Sequence, residues 1–323
     1  MTDLLHRAVA SILPIFLGTK NKQRLSILAY HRVLPAADFM RAAMPTVDQF
    51  EWQMELLAKH CNPLPLAEAI SLLEYGELPP RAVCVTFDDG YADNEEVALP
   101  ILTRLGIPAT VFVATGFLNG GRMWNDTIIE AIRVAAGPVI ALSSVGLGAY
   151  DISSLDKRRQ VAGSIIREIK HWKPERRLQA VQAIESLELE ELLPTDLMMT
   201  DNQVRNLSNN GIEIGAHTDS HPILATLDLE KARREIETPK LSLESLIDKP
   251  VISFAYPNGR PEIDYRVEHR DLTEVAGYQF AVSTQWGAAS KVSDKWQLPR
   301  FTPWDKTPLR FLIRLLMNFR NIC

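Results

Sequence analysis

Val83-Cys84-Val85-Thr86-Phe87 reads as a strand, and it runs straight into Asp88-Asp89-Gly90-Tyr91. Small and β-branched apolar residues in one short run suit a strand buried on both faces. Such a strand ends here by presenting two acids side by side. Ionising both is unfavourable unless something compensates, and a cation is the obvious candidate. The bland alternative is a solvated Asp-Gly turn.

The chain around this stretch alternates strand and helix. Leu25 to Tyr30 predicts a strand that ends at His31-Arg32. Thr46, with Gln49 three residues on, forms a capping box that opens a helix to His60. Leu66 to Tyr75 predicts a second helix, closed by Gly76. After the central strand, Asp93 or Asn94 is placed to cap a helix to Leu105, kinked at Pro100. Pro108 to Ala114 follows as a strand. This order predicts an α/β fold with parallel strands.

From Asn119 to Thr200 the rhythm changes. Helical patterns after Trp124 and around Asp156–Trp172 and Pro174–Leu192 predict an insertion, either a lid or exterior padding. Thr200 with Gln203 then caps a short helix, and Ile212 to Ala216 delivers His217-Thr218-Asp219-Ser220-His221. A helix over Asp228–Leu246 leads to a strand, Val251–Ala255, ending in Tyr256-Pro257-Asn258-Gly259. A helix near Leu272–Ala276, a strand over Phe280–Ser283 and an extended piece over Trp296–Phe301 complete the pattern. The expected organisation is an N-terminal helical extension (1–24), a barrel domain (25–305) interrupted by the insertion at about 119–200, and a C-terminal amphipathic helix (306–323).

Composition narrows the function classes. A formal net charge of −5 offers no bulk positive field to nucleic acid. Cys61, Cys84 and Cys323 have no paired spacing, so no disulfide framework is expected and a reducing compartment fits. No apolar run reaches the roughly 18 residues of a spanning helix. Leu4–Leu17 lacks a secretory cleavage pattern, which predicts a cytoplasmic protein. The basic, apolar ends, Leu4–Leu17 and Leu309–Phe319, either lie on the inner membrane face or cap the protein's own core.

The polar residues gather at strand ends. His31, Asp88 and Asp89, His217 and His221, and Tyr256 to Asn258 all follow predicted strands. The carboxyl edge of parallel strands is where α/β folds build sites. On a helical turn, the spacing of four would put His217 and His221 on one side. Two imidazoles and one carboxylate make a facial ligand set with open positions, the mark of a catalytic metal site. The second acid is then free to take a proton from water whose pKa a divalent ion lowers from 15.7 to about 7.

At these residues the sequence resembles the polysaccharide deacetylase family, the NodB-homology domain of carbohydrate esterase family four. Thr86-Phe87-Asp88-Asp89-Gly90-Tyr91 matches its first motif, and His217-Thr218-Asp219-Ser220-His221 its H-[ST]-x-x-H motif. The resemblance implies a distorted (β/α) barrel of about seven strands and a divalent metal, most often zinc. It also implies Asp88 as the base, with Asp89, His217 and His221 as metal ligands. The opening Tyr30-His31-Arg32-Val33 and the Trp124 insertion look like members that serve bacterial exopolysaccharide clusters.

The chain departs from the pattern in two places. In Phe254-Ala255-Tyr256-Pro257-Asn258-Gly259, alanine stands where the family often has the arginine that tethers the base. The backbone amide of Asn258 is expected to serve as an oxyanion donor, since that role needs no side chain. Leu298-Pro299-Arg300 stands where several members carry an acid histidine. Arg300 cannot donate a proton near neutral pH, so it is expected to polarise or position. His31 is the candidate acid in its place, on its pKa range and strand-end position. Tyr91 and Trp124 are candidates to pack against sugar rings, or else against the core.

These readings predict a metal-dependent hydrolase that removes acetyl groups from N-acetylated sugars of a glycan or its lipid-linked precursor. Hydrolysis of another amide or an O-acetyl ester on the same fold is one alternative. A non-catalytic glycan-binding relative is the other, suggested by the missing arginine and histidine.

Overall fold

The computed structural model describes residues 23–186 and 193–321. The N-terminal apolar stretch expected to form an extension lies outside the described residues, as does Cys323. In chain order the strands are β1 (Arg24–Tyr30), β2 (Asn62–Pro63), β3 (Ala82–Phe87), β4 (Ala109–Val113), β5 (Val139–Ala141) and β6 (Ala149–Asp151). They continue with β7 (Glu213–Ala216), β8 (Ser253–Ala255), β9 (Phe280–Trp286), β10 (Ala289–Ser290) and β11 (Leu298–Arg300). The strands β1, β3, β4, β7, β8, β9 and β11 lie side by side in that order, each parallel to the next. Phe301 then returns to β1: its N–H donates to Ile27 O at 2.7 Å, and it accepts from Ala29 N at 2.9 Å. These strands form the nearly closed barrel that the family resemblance implies. Its regularity is broken where β9 and β11 shift register between Leu298 and Arg300.

Strand pleat decides what the barrel mouth contains. Side chains alternate with period two, so Ala82, Cys84, Thr86 and Asp88 share one face of β3 and its extension. Ala82 and Cys84 pack inside with Ile27, Phe112, Ala255, Val282 and Leu298 from the other strands. Val83, Val85 and Phe87 point the other way, into the larger core beneath the helices. Asp88 therefore caps an apolar barrel interior. The helix α2 (Leu66–Tyr75) joins that interior cluster through Leu66, Ala69, Ile70 and Leu73.

Local signals formed as the sequence dictates at several points. The capping boxes at Thr46 and Thr200 are present on α1 (Val47–His60) and α7 (Asp201–Asn209). Gly76 closes α2 in the left-handed conformation. The segment after β3 differs from expectation. Asn94–Ala98 is a turn of π-helix and only Leu99–Leu105 is α-helical (α3), so Pro100 sits in a first turn, where its missing N–H costs nothing. Asp93 caps nothing with its side chain. Its carboxylate instead accepts from Arg32 Nε at 2.7 Å and Val33 N at 3.0 Å, which fixes the loop carrying His31.

The helical segment comprises α4 (Trp124–Val134), the β5–β6 hairpin, α5 (Leu155–Ile169) and α6 (Pro174–Glu185). Ile128, Ile132, Ile165, Ile169 and Ile184 form a second apolar core there, apart from the barrel's own. A long helix, α8 (Leu229–Ile247), and a short one, α9 (Val267–Val275), complete the barrel's exterior. The C-terminal helix α10 (Pro308–Arg320) buries Phe311, Leu312, Leu315 and Phe319 in the main core. Its apolar face is thus used within the fold, and the second of the two roles weighed for it is the one observed. Among the described residues, no helix is long and apolar enough to cross a membrane.

Candidate active site

Asp88 leaves β3 almost fully buried, and a buried ion needs a close partner. That partner is Arg300, on the same barrel-facing side of β11 as Leu298. Its Nη1 lies 2.6 Å from Asp88 Oδ1, and its Nη2 lies 2.6 Å from Oδ2. The guanidinium is itself held by Ser283 O, 2.8 Å from Nε, and by Thr86 Oγ1, 3.2 Å from Nη1. Burial works to raise the Asp88 carboxyl, but Arg300, helped by His217, outweighs it and holds the group below the usual carboxylate range. Ala255 leaves the base without the family's usual arginine. Arg300 makes good that loss from the other side of the barrel. The expected positioning role of Arg300 thus has a stated partner, Asp88.

Asp89 turns the other way because its backbone is left-handed, φ 79°. Its Oδ1 lies 3.4 Å from His217 Nε2 and 3.3 Å from His221 Nε2. The histidines do not sit on a helical turn, as their spacing predicted. His217 follows β7 directly, and Thr218 (φ 63°) and His221 (φ 51°) are both left-handed, which folds the loop back on itself. Asp89, Thr218, His221 and Asn258 place four left-handed non-glycine residues in one site, where backbone strain tends to collect. The loop is clamped from α8: Glu235 accepts from Asp219 N at 2.9 Å, Ser220 N at 2.8 Å and Ser220 Oγ at 2.5 Å.

These three residues fit a metal ion. Their ligand atoms all lie within 4.8 Å of one another. Ligands about 2.0–2.2 Å from a tetrahedral ion stand about 3.3–3.6 Å apart, as the two contacts of Asp89 do. Among the described residues, Asp89 Oδ1 is buried with the two imidazoles near it but no well-formed hydrogen bond, a costly state that a cation relieves. The Nδ1 of His217 lies 2.7 Å from Ala255 O. That contact places the proton on Nδ1 and leaves the Nε2 lone pair facing Asp89. Burial holds the His221 imidazole down to about 3, so it is neutral and able to ligate. Burial also works against a proton on His217, but Asp89 and Asp88 outweigh it and raise the group. A bound cation would displace that proton.

The family pattern for polysaccharide deacetylase matches residues 75–142 and 175–281, over half the chain and spanning both carboxylates and both histidines. The chain belongs to the polysaccharide deacetylase family. It is 24% identical over 210 residues to the poly-β-1,6-N-acetyl-D-glucosamine N-deacetylase of Staphylococcus epidermidis, covering 58% of this chain and 70% of that one. Its fold is similar to that of the Streptococcus pyogenes deacetylase PplD, solved in complex with acetate (TM-score 0.60, 20% identity, 92% of this chain and 98% of that one). It is also similar to IcaB from Ammonifex degensii (TM-score 0.58, 19% identity, 92% and 97%).

In this family member the cleft above the site has a volume of about 570 Å³. His31, Asn258, Arg300 and Trp124 all line it, alongside Asp88, Asp89, His217 and His221. His31 is held through its backbone, its carbonyl accepting from Asn94 Nδ2 at 2.8 Å. Asn258 is left-handed (φ 60°), and its backbone N–H has no hydrogen-bond partner among the described residues. Tyr91 is a correction: it is buried and does not reach the cleft. Its hydroxyl donates to Asp126 Oδ2 at 2.8 Å, and Arg32 lies 4.6 Å from its ring centre. The sequence reading also missed residues. Trp286 and Trp304 stand at the mouth, 38% and 60% exposed, and Lys170 forms part of the wall. Large exposed aromatics beside a conserved-fold cleft would have been a signal only with the loop positions known.

Proposed function

We propose that this chain is a divalent-metal hydrolase that removes acetyl groups from the N-acetylated sugars of a polysaccharide or its lipid-linked precursor. The observation that carries the reading is the convergence of Asp89, His217 and His221 beside an aspartate forked by Arg300. A divalent ion on that triad, for which the two imidazoles and one carboxylate suit zinc, would supply Lewis acidity and acidify a water toward neutral pH.

The chain's own residues do the rest. Asp88 takes the proton of the water that attacks the acetyl carbon. Arg300 keeps Asp88 ionised and fixes its direction, while each carboxylate oxygen retains a further lone pair for the proton. The unpartnered amide of Asn258 donates to the oxygen on which negative charge develops. His31 returns a proton to the departing amine. The tryptophans offer flat apolar faces to sugar rings. The arginine on Asp88 answers one of the two supports for a non-catalytic glycan binder, the missing tether; the other, the missing acid histidine, is answered only by the role given to His31.

Acetate release from N-acetylglucosamine oligomers tests this reading against small linear amides and O-acetyl esters. Release from the oligomers is expected to stop with a chelator and return with added zinc. The variant His217→Ala is expected to lose both bound metal and acetate release. Release that survives complete metal removal would overturn the proposal, and a preference for small amides would redirect it.

A further inference from the structure

The charges that line the cleft are not evenly balanced. Asp88 and Arg300 pair with each other, Arg260 lies 2.9 Å from Asp264, and Asp89 faces two imidazoles. Lys170, half-buried just past the end of α5, lines the same cleft; Asp264 acts on it only from farther off, and no carboxylate lies at ion-pair distance among the described residues. Arg177 on α6 is only 7% exposed and also lacks one among those residues. Its guanidinium donates to the carbonyl of Lys170, at 3.2 Å, and lies 4.7 Å from the ring centre of Trp124. Trp124 lines both the catalytic cleft and an adjoining cavity of about 530 Å³, which Arg177 lines as well.

A buried cation without a paired carboxylate is unfavourable, and Arg177, in the adjoining cavity, has a second cation-bearing residue, Lys170, directly beside it. Burial alone pushes the Arg177 guanidinium down. Burial also pushes the Lys170 ammonium down, with Asp264 opposing and Arg260 adding to it. The molecule as a whole carries a formal charge of −5, so two neighbouring cations without ion-pair partners run locally against the overall sign. Such reversals in a cleft focus the field on an incoming anion.

We propose that Lys170 and Arg177 form an anion subsite beside Trp124, so that the preferred substrate carries an anionic oxygen group close to the acetylated sugar. The group is a sugar carboxylate or a phosphate, both of which match these donors. This rests on the deacetylase reading above and narrows its substrate class.

The test compares three N-acetylglucosamine oligomers of equal length, one neutral, one bearing a uronate and one bearing a phosphate. The readout is the ratio of kcat/KM for each anionic oligomer over the neutral one, at low and high salt. The wild-type ratio is expected to be about tenfold, the scale of one charge-assisted hydrogen bond. It should shrink with salt to the extent that the wall is open to solvent. Lys170→Gln is expected to bring the ratio close to one, and Lys170→Glu to invert it. The two anionic arms separate carboxylate from phosphate recognition. A wild-type ratio of one, or a ratio that neither substitution moves, would overturn the subsite while leaving the deacetylase reading intact. If no oligomer releases acetate, that reading fails instead. Calorimetric binding of the same three oligomers then gives the ratio directly, and equal affinities would overturn the subsite.

Discussion

Two buried arginines in this molecule each face carboxylates, and they sit in opposite circumstances. Arg300 gives both arms to one partner, Asp88, at the open mouth of the barrel. Arg41 divides its arms between Asp126, at 2.8 Å, and Glu130, where α4 joins the loop after β1. Glu130 and Asp38 are shared in turn with Arg133. The electrostatic outcomes differ. Burial raises Asp126, and the divided attention of Arg41 does not reverse it. Burial works to raise Asp88 too, but the undivided fork overrides it. The first cluster latches the helical segment to the barrel. The second keeps an acid ionised where a substrate can reach it. Burial and pairing alone therefore do not mark a catalytic group; access to the cleft and a partner-poor neighbour such as Asp89 do.

The largest expected effect breaks the latch. Arg41→Met leaves Asp126 facing no other arginine side chain in direct contact, and loss of one partner of a buried ion pair costs about 3 kcal/mol or more. Urea unfolding should show that loss, while kcat per folded molecule stays within about twofold, on the scale of sites that do not touch the chemistry. A hundredfold fall in kcat with unfolding unchanged would erase the distinction between the two clusters.

Asp88→Asn tests the other side. It is expected to keep the metal content of the wild type and to lose about a hundredfold or more in kcat, the scale of a lost general base. Undiminished turnover in that variant would remove Asp88 from the chemistry.

Arg300→Lys is a milder change. A lysine keeps the charge but not the planar fork, so the expected loss is about tenfold in kcat. The pH profile supplies the sign. Arg300 holds Asp88 low, and a base works only when unprotonated. Weakening that hold raises the Asp88 pKa, so the acid limb of kcat/KM should move to higher pH. A limb that stays in place would show that Arg300 acts only on position.

These contrasts indicate what could be read in the chain beforehand. The two motifs, the strand ends and both capping boxes were legible because each depends on residues a few positions apart. Arg300 was legible as an oddity but not as the tether of Asp88. The two residues are 212 positions apart, and only closure of the barrel through Phe301 brings them together. The matched family pattern stops before it. Asp93 read as a helix cap because its neighbours are helical, yet a π-turn frees its carboxylate for Arg32 and Val33. The histidine spacing suggested a helical turn because left-handed backbone at a threonine and a histidine is not foreseeable from their types. Lys170 and Arg177 carry no motif that would single them out among the charges of the helical segment. Their exposure depends on how the helical segment packs against the barrel, which no local pattern encodes.

The smallest expected effect tests the aromatic that takes the core role rather than the sugar one. Tyr91→Phe keeps the ring under Arg32 and removes only the hydroxyl that donates to Asp126 Oδ2. Leaving that oxygen unsatisfied should cost about 1 kcal/mol. The pH dependence gives the sign. The Asp126 carboxyl is already raised by burial, and the hydroxyl is one of the contacts that lower it. Removing it raises the group further, so the folded state holds its proton to higher pH than the unfolded chain does. Stability contributed by that proton is lost as pH rises above the ordinary carboxylate range. The variant's deficit in urea unfolding should therefore be larger at neutral pH than near pH ~4. If KM rises instead and unfolding is unchanged, Tyr91 touches substrate after all, and the latch ends at Asp126.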